Sequence, residues 1–179
     1  RYDSYKVVLS PLVFGSHNTT TYLDKTDQFH EIIMFVSTPE LFTRYDFKNK
    51  DLTYSLTERM VFTEIDHNYV NVVTDKEENM RKVLEVFGNL DKWNQQNGYG
   101  KSYITFNEYM TWATACLYIY DTYEPEVYNQ FFEHTNDTMQ ARGFVRFKEF
   151  YNELLELYKT SDKPIYKHYP KLLKRAEDI

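Results

Sequence analysis

Apolar residues recur at every third or fourth position over most of the chain after residue 55, which is the spacing of one buried face of an α-helix. Polar or glycine-containing segments separate these stretches, so we predict about five helices. Ser55 with Glu58 and Thr74 with Glu77 have the spacing of a capping box and predict the first two helix starts. The predicted helices cover residues 55–73, 74–90, 103–120, 126–139 (after Pro125 at the first helical position) and 147–158, followed by a short one that starts at Asp162 and Pro164 and is interrupted at Pro170.

The first 50 residues have a different pattern, with short runs rich in β-branched residues. Lys6–Val13, broken by Pro11, and His30–Ser37 are predicted strands, residues 14–21 a loop, and residues 40–51 an irregular or short helical connection. We therefore predict an α+β, predominantly helical fold, in which a small N-terminal β-sheet from about Lys6 to Ser37 packs on about five helices. No linker or internal repeat is found, so residues 1–179 are predicted to form a single domain.

Charge and composition exclude several classes of protein. The net charge of -6 argues against non-specific nucleic-acid binding, which requires a basic surface. No apolar run reaches the roughly 18 residues of a membrane-spanning helix, so no such segment is predicted. The single cysteine, Cys116, excludes an internal disulfide and lies in an apolar run, where a buried thiol is expected. Because the chain starts at Arg1, we expect it to be a fragment of a longer precursor.

The predicted helix Tyr103–Tyr120 is apolar almost all round, which is typical of a central helix. Glu108 is its only charged residue. Because an isolated buried carboxylate is too costly, Glu108 is expected to be paired, hydrogen-bonded, metal-bound or protonated. A structural hydrogen bond to a neighbouring helix and a role as metal ligand or acid both meet this requirement.

The strongest chemical pattern lies in the first predicted helix, at Thr63-Glu64-Ile65-Asp66-His67. In the pattern H-E-x-x-H, two histidines four residues apart on one helical face hold Zn²⁺, and the glutamate acts as general base. Here Glu64 and His67 stand at the glutamate and the second histidine, and Thr63 stands at the first histidine. An E-x-x-H sequence alone is a weak signal, because it occurs often in helices.

Other segments extend the match. Phe62–Asn71 resembles the H-E-x-x-H-x-F-V-N segment of a family of uncharacterised, zincin-like (gluzincin-type) metalloproteases from gut bacteria. Tyr99-Gly100, followed by Phe106–Tyr109, resembles the Tyr-Gly loop and the glutamate-bearing helix of that family. The resemblance covers nearly the whole chain, because three more segments are similar to parts of the family: Lys6–Leu12, Gly143-Phe144 and Tyr166–Leu172.

The resemblance implies a zincin-like fold, with Glu64 as general base and His67 and Glu108 as two zinc ligands. The implied mechanism is water activation, in which Zn²⁺ lowers the pKa of a bound water toward ~7 and the glutamate takes its proton during attack on a peptide carbonyl. Thr63 departs from the family, because a neutral hydroxyl is a poor Zn²⁺ ligand and two protein ligands fall short of the usual three. We therefore expect weak zinc binding or none. The resemblance also implies a secreted or cell-envelope protein.

Three hypotheses stay open. The first is a metallopeptidase-like domain with a degenerate active site, which binds a protein or peptide ligand or has a structural role. The second is an active metal-dependent peptidase or amidase with an altered metal site. His17 or His30 would supply the missing nitrogen only if its loop or strand edge folded over the site, and His30 is otherwise expected to be a polar residue at the edge of a strand. Asp66 does not supply a ligand, because it projects about 100° from His67 on the helix. The third is a plain helical structural or interaction domain, in which His67 and Glu108 form a buried polar pair.

Overall fold

A computed structural model describes residues 2–13, 17–37, 48–96 and 99–179, and over these residues the fold is α+β and predominantly helical, as predicted. The chain divides into two compact units, residues 1–67 and 68–179. The first unit contains the N-terminal sheet, and the second contains most of the helices.

The sheet has three strands in the order β1–β3–β2, where β1 is Ser4–Leu9, β2 is Asn18–Asp24 and β3 is Phe29–Val36. β1 pairs with β3 in parallel, and β2 pairs with β3 antiparallel, so the sheet is mixed. The two outer strands are mostly exposed, whereas β3 carries the buried side chains of the sheet. The predicted strand His30–Ser37 is therefore the central strand of the sheet.

Alternation along β3 explains which face is buried. Ile32, Met34 and Val36 are at most 1% exposed, because successive residues of a strand point to opposite faces. Glu31 points to the other face, where a carboxylate oxygen lies 2.9 Å from Nζ of Lys6 on β1. Glu31 thus forms a cross-strand ion pair.

The strand β2 differs from the prediction that residues 14–21 form a loop; residues 14–16 themselves lie outside the described residues. Thr19–Thr21 are β-branched, and such residues suit an exposed strand. The turn after β2 is fixed by Asp24 and Asp27, whose Oδ1 atoms each accept the main-chain amide two residues later, at 2.8 and 3.1 Å. Residues 40–47 of the predicted connection also lie outside the described residues.

The first helix, α1 (Lys50–Thr74), begins before the predicted start at Ser55. Asn49 caps it, because its Oδ1 accepts the amides of Asp51 at 3.0 Å and Leu52 at 3.4 Å. Ser55 lies inside the helix, where its buried hydroxyl donates to the carbonyl oxygen of Leu52 at 2.9 Å. The capping-box prediction at Ser55 is therefore wrong.

The second capping-box prediction is also wrong. Thr74 is the last residue of α1, and its Oγ1 lies 3.0 Å from the carbonyl oxygen of Val70 and 2.7 Å from Oδ1 of Asn107. The next helix, α2 (Glu77–Val86), begins after Lys76, whose side chain forms no capping hydrogen bond. The Thr74 hydroxyl therefore bonds the last turn of α1 to Asn107 and does not start a helix.

Five further helices complete the second unit within the described residues: α3 (Leu90–Trp93), α4 (Ser102–Thr122), α5 (Pro125–Ala141), α6 (Phe147–Lys159) and α7 (Tyr169–Ala176). Pro125 is the first residue of α5, as predicted. The prediction that Pro170 interrupts the last helix is wrong, because Pro170 lies in the first turn of α7. No helix in the described part of the chain is both long and apolar enough to cross a membrane.

The helix α4 is central to the second unit, as its apolar sequence predicts, and it contacts α2, α3, α5 and α6. Two of its rings join a cluster of fully buried aromatic side chains: Phe87, Trp93, Phe106, Tyr109 and Phe150. Phe87 stacks on Trp93, with their ring centroids 4.1 Å apart.

The buried phenol of Tyr109 bonds to the end of α3 and to the residue before α6. Its hydroxyl donates to the carbonyl oxygen of Trp93 at 2.7 Å and accepts the amide of Arg146 at 3.1 Å. Burial raises the pKa of Tyr109, so the phenol stays protonated and remains a donor. These contacts hold the position of α4, and with it the neighbouring residue, Glu108.

Candidate functional site

Thr63, Glu64 and His67 all lie on α1 in the first unit, as predicted. Thr63 is 6% exposed, and its hydroxyl donates to the carbonyl oxygen of Met60 at 3.3 Å. Glu64 is 9% exposed, and His67 is half-buried. The only hydrogen of the Thr63 hydroxyl is thus used within the helix, which is common for threonine inside a helix.

His17, one of the two candidates for a replacement nitrogen, is part of a local hydrogen bond. Its Nδ1 accepts the main-chain amide of Ser37 at 3.3 Å, so the neutral ring carries its proton on Nε2. The pKa of His17 is lowered from its ordinary value, mainly by burial and also by the positive charge of Arg59. The hydrogen bond to Ser37 occupies Nδ1, and the positive charge of Arg59 disfavours a metal cation near the ring, so His17 is poorly suited as a metal ligand. His30 lies at the start of β3, with its ring 6.4 Å from the ring of Tyr2.

The lowered pKa of His17 predicts a pH dependence of stability. In the unfolded chain a histidine has a pKa of about 6.5 and binds a proton that the folded chain resists, so the stability from the neutral ring is present above about pH 6.5 and falls below it. We expect His17→Gln, which keeps an acceptor for the Ser37 amide, to reduce the loss of thermal stability between about pH 7.5 and 5.5. Circular-dichroism melting curves of both proteins measure this, and equal losses would contradict it.

Glu108, on α4, is paired with Arg142 in the second unit. Nη2 of Arg142 lies 2.7 Å from Oε2 of Glu108, and the two side chains are 27% and 14% exposed. The same Nη2 donates to the phenol oxygen of Tyr99, and Nη1 contacts the sulfur of Met139. The partner that the sequence requires for this carboxylate is therefore present as a guanidinium.

Three aromatic rings surround that guanidinium. Its central carbon lies 4.7 Å from the ring centroid of Trp112, 5.1 Å from that of Tyr99 and 5.3 Å from that of Phe144. Each distance is within the ~6 Å over which a cation and an aromatic face attract. Arg142, Glu108 and the three rings are named the arginine cage below.

Local backbone structure explains why Arg142 reaches this position. It follows the last residue of α5, and the helix ends there in a Schellman motif: the amide of Gly143 donates to the carbonyl oxygen of Gln140 at 2.8 Å, and that of Phe144 donates to Met139 at 2.9 Å. Gly143 has a φ of 87°, the left-handed conformation that this motif requires. The turn thus directs Arg142 and Phe144 into one cage.

The segment before Tyr99 is fastened to the same turn. The amide of Gln95 donates to the carbonyl oxygen of Gly143 at 3.0 Å, and Nδ2 of Asn94 donates to that of Arg142 at 3.3 Å. Oδ1 of Asn94 also accepts the amide of Gln96 at 2.8 Å. These bonds hold the end of α5 against the chain that leads to the cage.

As metal ligands, Thr63 and Glu108 fit a zinc site poorly. The hydroxyl of Thr63 is neutral and bonded to its own helix, and Oε2 of Glu108 is bound by a cation. Among the described residues, no three His, Cys, Asp or Glu side chains are grouped as metal ligands would be. The assignment of His67 and Glu108 as zinc ligands and of Glu64 as general base stays a prediction from the sequence.

Arg142 is the residue of this site that sequence reasoning misses. It stands 34 positions after Glu108 and belongs to no motif. The available signal is Arg-Gly-Phe at the end of an amphipathic helix, which predicts a helix stop at Gly143 but not the partner of the arginine.

No family model, no curated protein and no solved structure matches this chain, so the resemblance to zincin-like metalloproteases also stays a prediction.

Proposed function

We propose that the chain is a zinc-metallopeptidase-like domain whose active site has degenerated, and that it serves binding or a structural role rather than peptide hydrolysis. The observation that carries the proposal is the ion pair between Glu108 and Arg142. In the zincin-like family that the chain resembles, the glutamate at the position of Glu108 holds the metal. In this chain the carboxylate of Glu108 binds a guanidinium. The presence of Thr63 where the family has its first histidine supports the same conclusion. One zinc ligand is then missing and a second is bound by a guanidinium, so the site loses zinc more readily than with either change alone.

The ligand that fits this proposal is a protein or peptide, because the metalloproteases that the chain resembles act on peptide bonds. Without a bound metal, Glu64 has no activated water from which to take a proton. A domain of this kind retains the fold of an enzyme and loses the metal that activates water.

A second candidate function, a plain helical structural or interaction domain, is favoured by the same ion pair. Arg142 meets the need of the Glu108 carboxylate for a partner entirely within residues 68–179. On this interpretation the E-x-x-H sequence at His67 arises by chance. A failure to bind zinc after the missing histidine is restored would rule out the first candidate.

The test compares zinc uptake by the wild type, Thr63→His and Thr57→His. Thr57 is a matched control, because its hydroxyl also donates within α1, to the carbonyl oxygen of Thr53 at 2.9 Å. It points about 120° away from Thr63 and lies about 15 Å from His67 along the axis, too far to share a metal with it. Zinc retained after desalting is measured by elemental analysis, and affinity by competition with a chromophoric chelator.

We expect the wild type and Thr57→His to retain no stoichiometric zinc, and Thr63→His to bind it on the order of tenfold more tightly or better, because it restores an imidazole four residues before His67. Stoichiometric zinc in the wild type, with peptide cleavage that Glu64→Gln abolishes, would show an active hydrolase instead. If Thr63→His binds no more zinc than Thr57→His, the metallopeptidase-like assignment is wrong and the plain helical domain remains.

A further inference from the structure

The arginine cage has the composition of a binding site for a planar cation. Tyr99, Trp112 and Phe144 face the guanidinium of Arg142, and Glu108 supplies the opposite charge. A guanidinium is flat, permanently charged and weakly hydrated, so aromatic faces and a carboxylate together recognise it better than they recognise a compact, strongly hydrated ion.

We propose that Tyr99, Glu108, Trp112 and Phe144 form a receptor for a guanidinium group, and that Arg142 is its tethered occupant. When the Arg142 side chain is removed, the site accepts free guanidinium or a small alkylguanidinium from solution. In the native chain Arg142 keeps other cations away from Glu108. All residues of this receptor belong to residues 68–179, and its binding of guanidinium does not depend on the metallopeptidase-like assignment.

The walls of the receptor are positioned by contacts that do not involve the Arg142 side chain. Glu108 and Trp112 are four residues apart on α4 and therefore share one face of that helix. Phe144 is fully buried, and its ring lies 5.3 Å from that of Tyr109. These three side chains are thus expected to stay in place when Arg142 is shortened.

Tyr99 is held in the same way. Its ring lies 4.9 Å from that of Phe144, in an edge-to-face arrangement. Its carbonyl oxygen accepts the hydroxyl of Thr105 at 2.8 Å and the amide of Lys101 at 2.7 Å. The phenol that accepts a hydrogen bond from Arg142 is therefore available to a replacement donor.

The receptor is also open to solvent, because the Arg142 side chain is 27% exposed and the Glu108 side chain is 14% exposed. A small cation can enter along the route that the arginine side chain occupies. In the wild type it has to compete with a group on the same chain, whose effective concentration for a short tether is in the millimolar range or above. We therefore expect the wild type to reject the cation that Arg142→Ala accepts.

The test adds guanidinium chloride to Arg142→Ala at about 1–20 mM, far below the molar concentrations at which it denatures proteins. Trp112 lies in the cage, so tryptophan fluorescence at constant temperature follows binding directly. Melting curves follow stabilisation in parallel. Potassium chloride controls for ionic strength, and urea controls for shape, because urea is planar and of similar size but carries no charge.

We expect a saturable fluorescence change and a rise in the melting temperature for Arg142→Ala with guanidinium only. At ten times the dissociation constant, the folding equilibrium constant should increase about elevenfold. The wild type and the double variant Arg142→Ala/Glu108→Gln should show neither effect. If Arg142→Ala does not fold, Arg142→Gln, which keeps most of the side-chain volume without the charge, is tested in the same way. An equal response to urea, or no difference from the wild type, would overturn the proposal.

Discussion

Replacing Phe87 by alanine is expected to lower the free energy of unfolding of residues 68–179 by about 3–5 kcal/mol. Phe87 is fully buried and lies at the middle of the aromatic cluster, with its ring 4.1 Å from Trp93, 5.2 Å from Phe106, 5.7 Å from Tyr109 and 6.2 Å from Phe150. Alanine leaves a cavity that four rings cannot fill together, because each is held by other contacts. Urea unfolding followed by tryptophan fluorescence measures the loss.

Both tryptophans of the chain, Trp93 and Trp112, belong to residues 68–179, so this signal reports on the second unit. Leu84→Ala is the matched control, because Leu84 is on the adjoining helix α2 and is 54% exposed. We expect it to cost less than about 1 kcal/mol. A loss for Phe87→Ala no larger than that of the control would mean that the cluster does not form the core of this unit.

The central helix α4 could be predicted from the sequence because the composition of the segment itself indicates that it is buried. A stretch that is apolar almost all round can only be placed inside a unit, whatever surrounds it. The need of Glu108 for a partner followed from the same fact, since a carboxylate on such a helix is not left alone. The identity of the partner could not be predicted, because Arg142 is distant in sequence and reaches Glu108 only through the turn at Gly143.

The helix starts were less predictable than the helices. The patterns at Ser55 and Thr74 satisfy the capping-box spacing, but both hydroxyls bond inside or between helices. Asn49 caps α1 instead, a residue that the prediction placed in a connection. Short hydroxyl side chains serve caps, turns and helix interiors alike, so spacing alone does not decide among these roles.

The strand β2 was missed for a related reason. A run of threonines with asparagine reads as a loop by polarity, although β-branched side chains also favour an exposed edge strand. What decides between the two is pairing with β3, which the sequence of β2 does not contain. Of the candidate site, the placement of Thr63, Glu64 and His67 on one helix could be predicted, and the aromatic surroundings of Arg142 could not.

Gly143→Ala is expected to cost residues 68–179 about 2–4 kcal/mol and to open the arginine cage. Two effects add. The φ of 87° is unfavourable for any residue with a Cβ atom, and an added Cβ would lie 2.8 Å from Cγ and 2.9 Å from the main-chain nitrogen of Gln96. The backbone nitrogen cannot move without breaking the bonds that hold this segment to the turn. The guanidinium of Arg142, on the preceding residue, is then displaced from Glu108.

Two further variants separate these effects. Gly143→Asn tolerates the left-handed conformation but keeps the Cβ contact, so a smaller loss than for alanine would assign the difference to φ. Gln96→Ala in the Gly143→Ala background removes Cγ and leaves the nitrogen, so little recovery is expected. Urea unfolding gives the stabilities, and the fluorescence of the folded state reports whether Trp112 still faces a cation. If Gly143→Ala lies within about 0.5 kcal/mol of the wild type, the turn does not depend on glycine, and the backbone explanation for the position of Arg142 fails.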